Sequence, residues 1–194
     1  MPIPSIAPTS SLRLHPNAAE VFKTAENRHL TEEELALYER NFPAMQARAN
    51  AARAIAAAEQ GIVENVVNEI LVHYPFEDRH AYARTKCVRD ISSVSAFATL
   101  CMLMNDPAWF RDKQLLWLRT ILQALYFPDR ETTRKRALFA SQSQAVPEGV
   151  PVNARAIWET YSKLRNGFKD KLDEESNALF EPYIQLAIDT LTAG

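Results

Sequence analysis

Lys86-Cys87-Val88-Arg89-Asp90-Ile91 stands inside a long helical pattern that runs from about Glu77 to Met104. At the helical repeat one stripe passes through Cys87, Asp90, Ile91, Val94, Phe97, Ala98 and Cys101. Cys101 falls deep in the apolar part of that stripe, between Leu100 and Met102, and reads as a small buried hydrophobe. Cys87 has Arg84, Lys86 and Arg89 within a turn, a setting that favours the thiolate over the thiol. On these residues alone Cys87 is either a half-buried inert thiol or a nucleophile. Lys86 and Asp90 are either site residues or an ordinary i, i+4 surface pair.

The remainder of the chain reads as almost all helix and turn. Four glycines occur in 194 residues, and strand-like alternation is absent. Prolines at 2, 4, 8 and 16 mark residues 1–16 as an extended arm. Asn17 is expected to cap a short helix ending near Asn27. Thr31-Glu32-Glu33-Glu34 is a capping box opening a helix to about Asn41. Pro43 starts a longer one to about His73, with Ala51, Ile55, Ile62, Val66 and Ile70 on its apolar face and Gly61 read as a place of close helix approach. Asp106-Pro107 starts another, in which Trp109 and Trp117 look core-like, as does Trp158 later. A basic helix at 129–140, a loop at 141–152 and closing helices at 153–168 and 174–192 complete the pattern. Seven to eight helices without a repeat period point to an all-α, globin-like fold, one domain over 17–194.

Composition narrows the function. A net charge of −2 gives no bias toward nucleic acid or an anionic membrane. The longest apolar run, Val94–Met104, falls short of the ~20 residues needed to span a bilayer, and no secretory signal is evident, so a cytoplasmic location is expected. Cys87 and Cys101 lie about 21 Å apart along one helix, too far for a disulfide. His15, His29, His73 and His80 all precede Cys87, which argues against ordinary haem ligation; His80 is close enough to touch a pocket but suits a helix surface. Neither a metal cluster nor a nucleophile–base constellation is visible, so no enzymatic activity is expected. Arg130, Arg134, Lys135 and Arg136 make a basic patch, either a solvated face or a dock for an acidic partner. A thiol, a carboxylate and several cations on one helical surface suit an anionic ligand bearing N–H groups and an electrophilic carbon. A bile pigment is such a ligand.

The chain resembles the phycobiliproteins, globin-fold light-harvesting subunits of cyanobacteria that carry linear tetrapyrroles. The resemblance begins at Ala25–Leu35, continues through Arg48, Ala52-Arg53-Ala54-Ile55 and Gly61-Ile62-Val63, and peaks at Thr85–Ile91. It persists in Leu116-Trp117-Leu118-Arg119-Thr120 and covers about residues 20–192. It implies that Cys87 forms a thioether to ring A of a bilin such as phycocyanobilin or biliverdin. It further implies that Asp90 accepts the N–H groups of the central rings, and that Arg89 and Lys86, with Arg84 a third, pair with the propionates. A partner is implied too, either a second copy or a related globin-like subunit, together with an attaching bilin lyase. Val21, Phe22, Leu35 and Leu37 are the expected sticky face. Departures occur at Ser92-Ser93-Val94-Ser95-Ala96, where the family carries aromatics and a partner-docking arginine, and at Leu122, commonly a tyrosine. The alternative is a bilin-free, globin-like interaction module.

Overall fold

Helices α1 (Pro16–Phe22), α2 (Glu32–Asn41) and α3 (Gln46–His73) come first, with a 3-10 turn at Pro43–Met45 before α3. The chain continues through α4 (Ala83–Met104), α5 (Pro107–Trp109), a π-helical turn (Phe110–Leu115) and α6 (Leu116–Ala124), and closes with α7 (Val152–Lys171) and α8 (Glu174–Thr192). The computed structural model describes residues 12, 15–22, 25, 28–74, 82–124 and 152–193. Most of the expected arm, the helix start at Glu77, His80, the basic stretch 129–140 and the loop 141–151 lie outside them. Every regular element among the described residues is helical, as the patterning requires.

Local chemistry sets several boundaries. Glu34 N–H donates to Thr31 Oγ1 (3.3 Å) while Thr31 N–H donates to Glu34 Oε2 (2.7 Å), the reciprocal cap expected for α2. The first helix differs from expectation. It begins at Pro16, whose missing N–H costs nothing in a first turn, with the His15 carbonyl accepting from Ala18 N–H (2.9 Å). Asn17 is therefore inside the helix, which ends at Phe22 and not near Asn27. α4 begins at Ala83 because Tyr82 holds φ at 65°, a left-handed conformation that cannot continue a helix.

The core forms around α4. Every residue from Val94 to Met104 is buried, so this half of the helix is covered on all sides. α3 and α8 pack on it, and α7 packs on α3 and α8. α4 passes the length and composition test for crossing a membrane, contrary to the estimate from its apolar run alone, but 67% of that stretch is buried inside the fold. Val21 and Phe22 of α1 and Leu35 of α2 are also internal, at 2%, 7% and 3% exposure, and Leu37 packs against the same core. The side chains expected to make a sticky outer face are thus used within the chain.

Two corrections concern helix registers. From Phe110, a regular α-helix would bring Gln114, Trp117 and Ile121 onto the buried face. The π-helical turn advances that face by one residue, to Leu115 and Leu118, leaving Trp117 60% exposed instead of core-like. Trp109 does pack inside, its ring 4.7 Å from that of Phe97, and Trp158 is half-buried. The other correction concerns the glycine of close approach: α7 keeps Asn166-Gly167 within the helix, as the expected 153–168 span did, and runs on to Lys171. Gly167 is the point of close approach: a Cβ there would lie 2.6 Å from Ile62 Cγ2, whereas a Cβ on exposed Gly61 would meet nothing.

Gly61→Ala should therefore stabilise the protein by about 1 kcal/mol through helix propensity. Gly167→Ala should destabilise it, because Ile62 is rotamerically stiff in a helix and overpacking costs about 1–3 kcal/mol. Urea unfolding of the two variants checks the opposite signs. A second expectation concerns acid. Two hydrogen bonds from Arg28 (2.7 Å each), joined by the Thr31 N–H and opposed by burial, hold the Glu34 carboxyl down at about 2, below its ordinary 4.5. A depressed folded-state value gives stability that is present above the unfolded value and lost as pH falls. Unfolding free energy should thus decline as pH drops from 4.5 toward about 2, and Glu34→Gln should flatten that part of the profile.

Candidate functional site

The N-terminal half of α4 emerges from the core between α3, α6 and α7, and a cleft of about 210 Å³ opens there. Its walls are mainly apolar. Val67, Ile70 and Leu71 come from α3, Ile91 from α4, Leu118 and Leu122 from α6, and Ile157 from α7. The polar groups are few. Lys86, Cys87 and Asp90 face it from α4, and Thr160 and Tyr161 from α7. An apolar cavity with a few convergent polar groups is the usual form of a small-molecule site.

Three of the five sequence-selected residues therefore meet in one cleft. Cys87 is half-buried at its wall, and Cys101 is fully buried in the core; both lie on the same helix and neither is in a disulfide. Asp90 Oδ1 accepts from Arg89 Nε (2.8 Å) and Nη2 (2.7 Å). Arg89 itself is exposed and lies off the cleft wall, clamping the carboxylate from outside. Arg84 is exposed as well and donates to Asn68 Oδ1 on α3. Its guanidinium is one turn from Cys87 in sequence but is not among the cleft's lining groups.

Tyr161 was not legible as a site residue. It is 4% exposed, and burial pushes its phenol well above the ordinary value of 10, with the charges of Asp90 and Cys87 acting in the same direction. In sequence it belongs to a stripe with Ile157, Leu164 and Phe168, all buried, which reads only as core. Only tertiary packing places it opposite the thiol and carboxylate.

Beyond Asp90 and Leu118 a second cavity, about 670 Å³, shares that wall with the cleft. It is lined by Arg28, His29 and Glu59 on one side and by Arg89, Ser92, Ser93, Ala96 and Trp117 on the other. Four of the departing residues noted in the sequence fall on these walls, Leu122 in the cleft and Ser92, Ser93 and Ala96 in the second cavity. No group of three or more metal-ligating side chains occurs among the described residues.

The family model described as Phycobilisome protein matches residues 22–191, most of the chain. The chain belongs to the phycobilisome protein family. Its members are globin-like all-α proteins that carry covalently bound bilins, and the all-helical architecture agrees with that fold. No curated protein matches the sequence.

The two thiols should differ sharply in reactivity. Iodoacetamide on the folded protein should modify Cys87 and spare Cys101, and both should react after unfolding. Peptide mapping by mass spectrometry reads the result; labelling of Cys101 in the native state would contradict the burial described.

Proposed function

We propose that this chain holds a linear tetrapyrrole through a thioether at Cys87, as a non-enzymatic carrier for light absorption, pigment handling or sensing. The observation that carries this reading is the meeting of Lys86, Cys87 and Asp90 in one largely apolar cleft. The donor set fits the group. A half-buried thiol supplies the covalent anchor, and a carboxylate beside it can accept two pyrrole N–H bonds as charge-assisted contacts. The apolar walls exclude water from a conjugated ring system, and Lys86 at the rim suits a propionate. When bound, a bilin supplies visible absorption through its conjugated chain.

The arginines have a distinct part in this proposal. Arg89 already holds Asp90 and Arg84 already donates to Asn68, so a propionate would share these five-donor guanidinium groups with their present partners or replace them. Release of Asp90 would leave its carboxylate available to the ring nitrogens. The connected core from α1 to α8 supports treating 17–194 as one globin-like domain. Partners under this reading are a second copy or a related globin-like subunit and an attaching lyase, in the cytoplasm.

Co-expression with a phycocyanobilin-producing pathway tests it. The purified chain should be coloured, and its denatured band should fluoresce with zinc. Cys87→Ser should abolish the covalent pigment, and Asp90→Ala should blue-shift the absorption and lower it severalfold. Unchanged spectra in both variants would sink the proposal. A second reading, a bilin-free interaction module, draws on the exposed Leu116, Trp117 and Ile121 of α6. Failure to take up any bilin would move the assignment there.

A further inference from the structure

α6 carries apolar side chains on both of its faces. Leu118 and Leu122 pack inward, whereas Leu116, Trp117 and Ile121 stand on the outside and are exposed. A helix that is apolar all round is ordinarily covered all round. Trp117 and Ile121 also line the second cavity, whose other bank is the Arg89, Ser92, Ser93 and Ala96 side of α4. That cavity is thus a groove between two helices with an exposed tryptophan on its lip.

Charge says what can cover it. Residues 82–124 hold six Lys and Arg against three carboxylates, whereas 28–74 hold four against seven and 152–193 hold five against seven. The excess lies beside the stripe. Lys113 comes one turn before Trp117, and Arg119 follows Leu116 at i, i+3. Arg111 pairs with Asp112, but neither Lys113 nor Arg119 has an ion-pair partner among the described residues. The carboxylates that line the groove, Asp90 and Glu59, are already paired with Arg89 and His29, which leaves the sign of the rim to Lys113 and Arg119. A second copy docked across a two-fold axis would set these cations against their own images, so the charge favours a partner of opposite sign.

We infer that the α6 stripe and the groove beside it dock an acidic amphipathic helix of another protein. A groove between two helices admits a helix, and the described residues hold no strand whose edge a partner could extend. The apolar side of the incoming helix covers Leu116, Trp117 and Ile121, with Trp117 as the anchor, and its carboxylates meet Lys113 and Arg119. The inference stands apart from the tetrapyrrole reading, since it uses neither Cys87 nor the cleft.

Fluorescence anisotropy on the full chain with two labelled synthetic peptides tests it. Both carry leucines at i, i+3, i+4 and i+7; one has glutamate and the other lysine at the remaining positions. The glutamate peptide should bind, more weakly as salt rises, and the lysine peptide should not. Trp117→Ala should weaken binding about ten-fold, and Lys113→Glu with Arg119→Glu should abolish it, with circular dichroism unchanged in both variants. No binding of the glutamate peptide, equal binding of the two peptides, or unchanged binding in the variants would overturn the inference. So would self-association in sedimentation that Trp117→Ala removes, which would give the face to a second copy. Binding to phosphatidylserine vesicles without binding to the peptide would overturn it in favour of a membrane. None of these readouts involves pigment, so attachment at Cys87 stands or falls separately.

Discussion

The carbonyl end of α4 has to be satisfied inside the protein, because the helix is buried on every side from Val94 to Met104 and water cannot reach its last turn. Four separate groups meet that requirement. Tyr38 of α2 donates its hydroxyl to the Leu103 carbonyl at 2.8 Å, and Arg48 of α3 donates to the Met102 carbonyl and to Asn105 Oδ1 (3.0 Å). Asn105 turns left-handed at φ 53° and returns its N–H to Met102, and Asp106 N–H reaches Cys101 at 2.9 Å. Each buried carbonyl left bare would cost about 1–3 kcal/mol. The caps therefore fix α2 and α3 against α4, and the Asp106 carboxylate, which accepts from Trp109 N–H, starts the next helix from the same point.

This constraint also decides where a site can form. A helix pinned in the core at one end must emerge at the other, and it emerges where α3, α6 and α7 diverge around Cys87 and Asp90. The hydrophobic end of the stripe holds the rigid frame, and the polar end is presented to a cleft by that frame. The π-helical turn contributes by rotating α6, which brings Leu118 and Leu122 to the cleft and sends Trp117 toward the second cavity. Small residues at Ser92, Ser93 and Ala96 keep that cavity open along α4.

Much of this was legible because it is local. The Thr31–Glu34 box, the Asp106-Pro107 cap and the limits of α8 each depend on residues within a turn of one another. Cys101 as core and Cys87 as a surface-side thiol followed from one stripe. What failed was non-local. Nothing near Gly61 or Gly167 in sequence says which faces Ile62, and only the packing of α7 on α3 assigns the close approach to Gly167. Trp117 was misplaced because a π turn breaks the 3.6-residue count from which its face was inferred. Arg89 and Arg84 were grouped with Cys87 by proximity in sequence, but neither lines the cleft: Arg89 holds the Asp90 carboxylate from outside it and Arg84 reaches Asn68. Tyr161, His29 and Glu59 come from distant parts of the chain, and no spacing rule connects them to α4.

In the proposed reading the Cys87 thiol is the anchor of a linear tetrapyrrole. The most direct measurement is the mass of the Cys87-bearing peptide from protein purified out of a bilin-producing host and digested after denaturation. The account predicts that this peptide carries the added mass of one tetrapyrrole and that the Cys101 peptide carries none. An unmodified Cys87 peptide, with pigment absent or attached elsewhere, would contradict it.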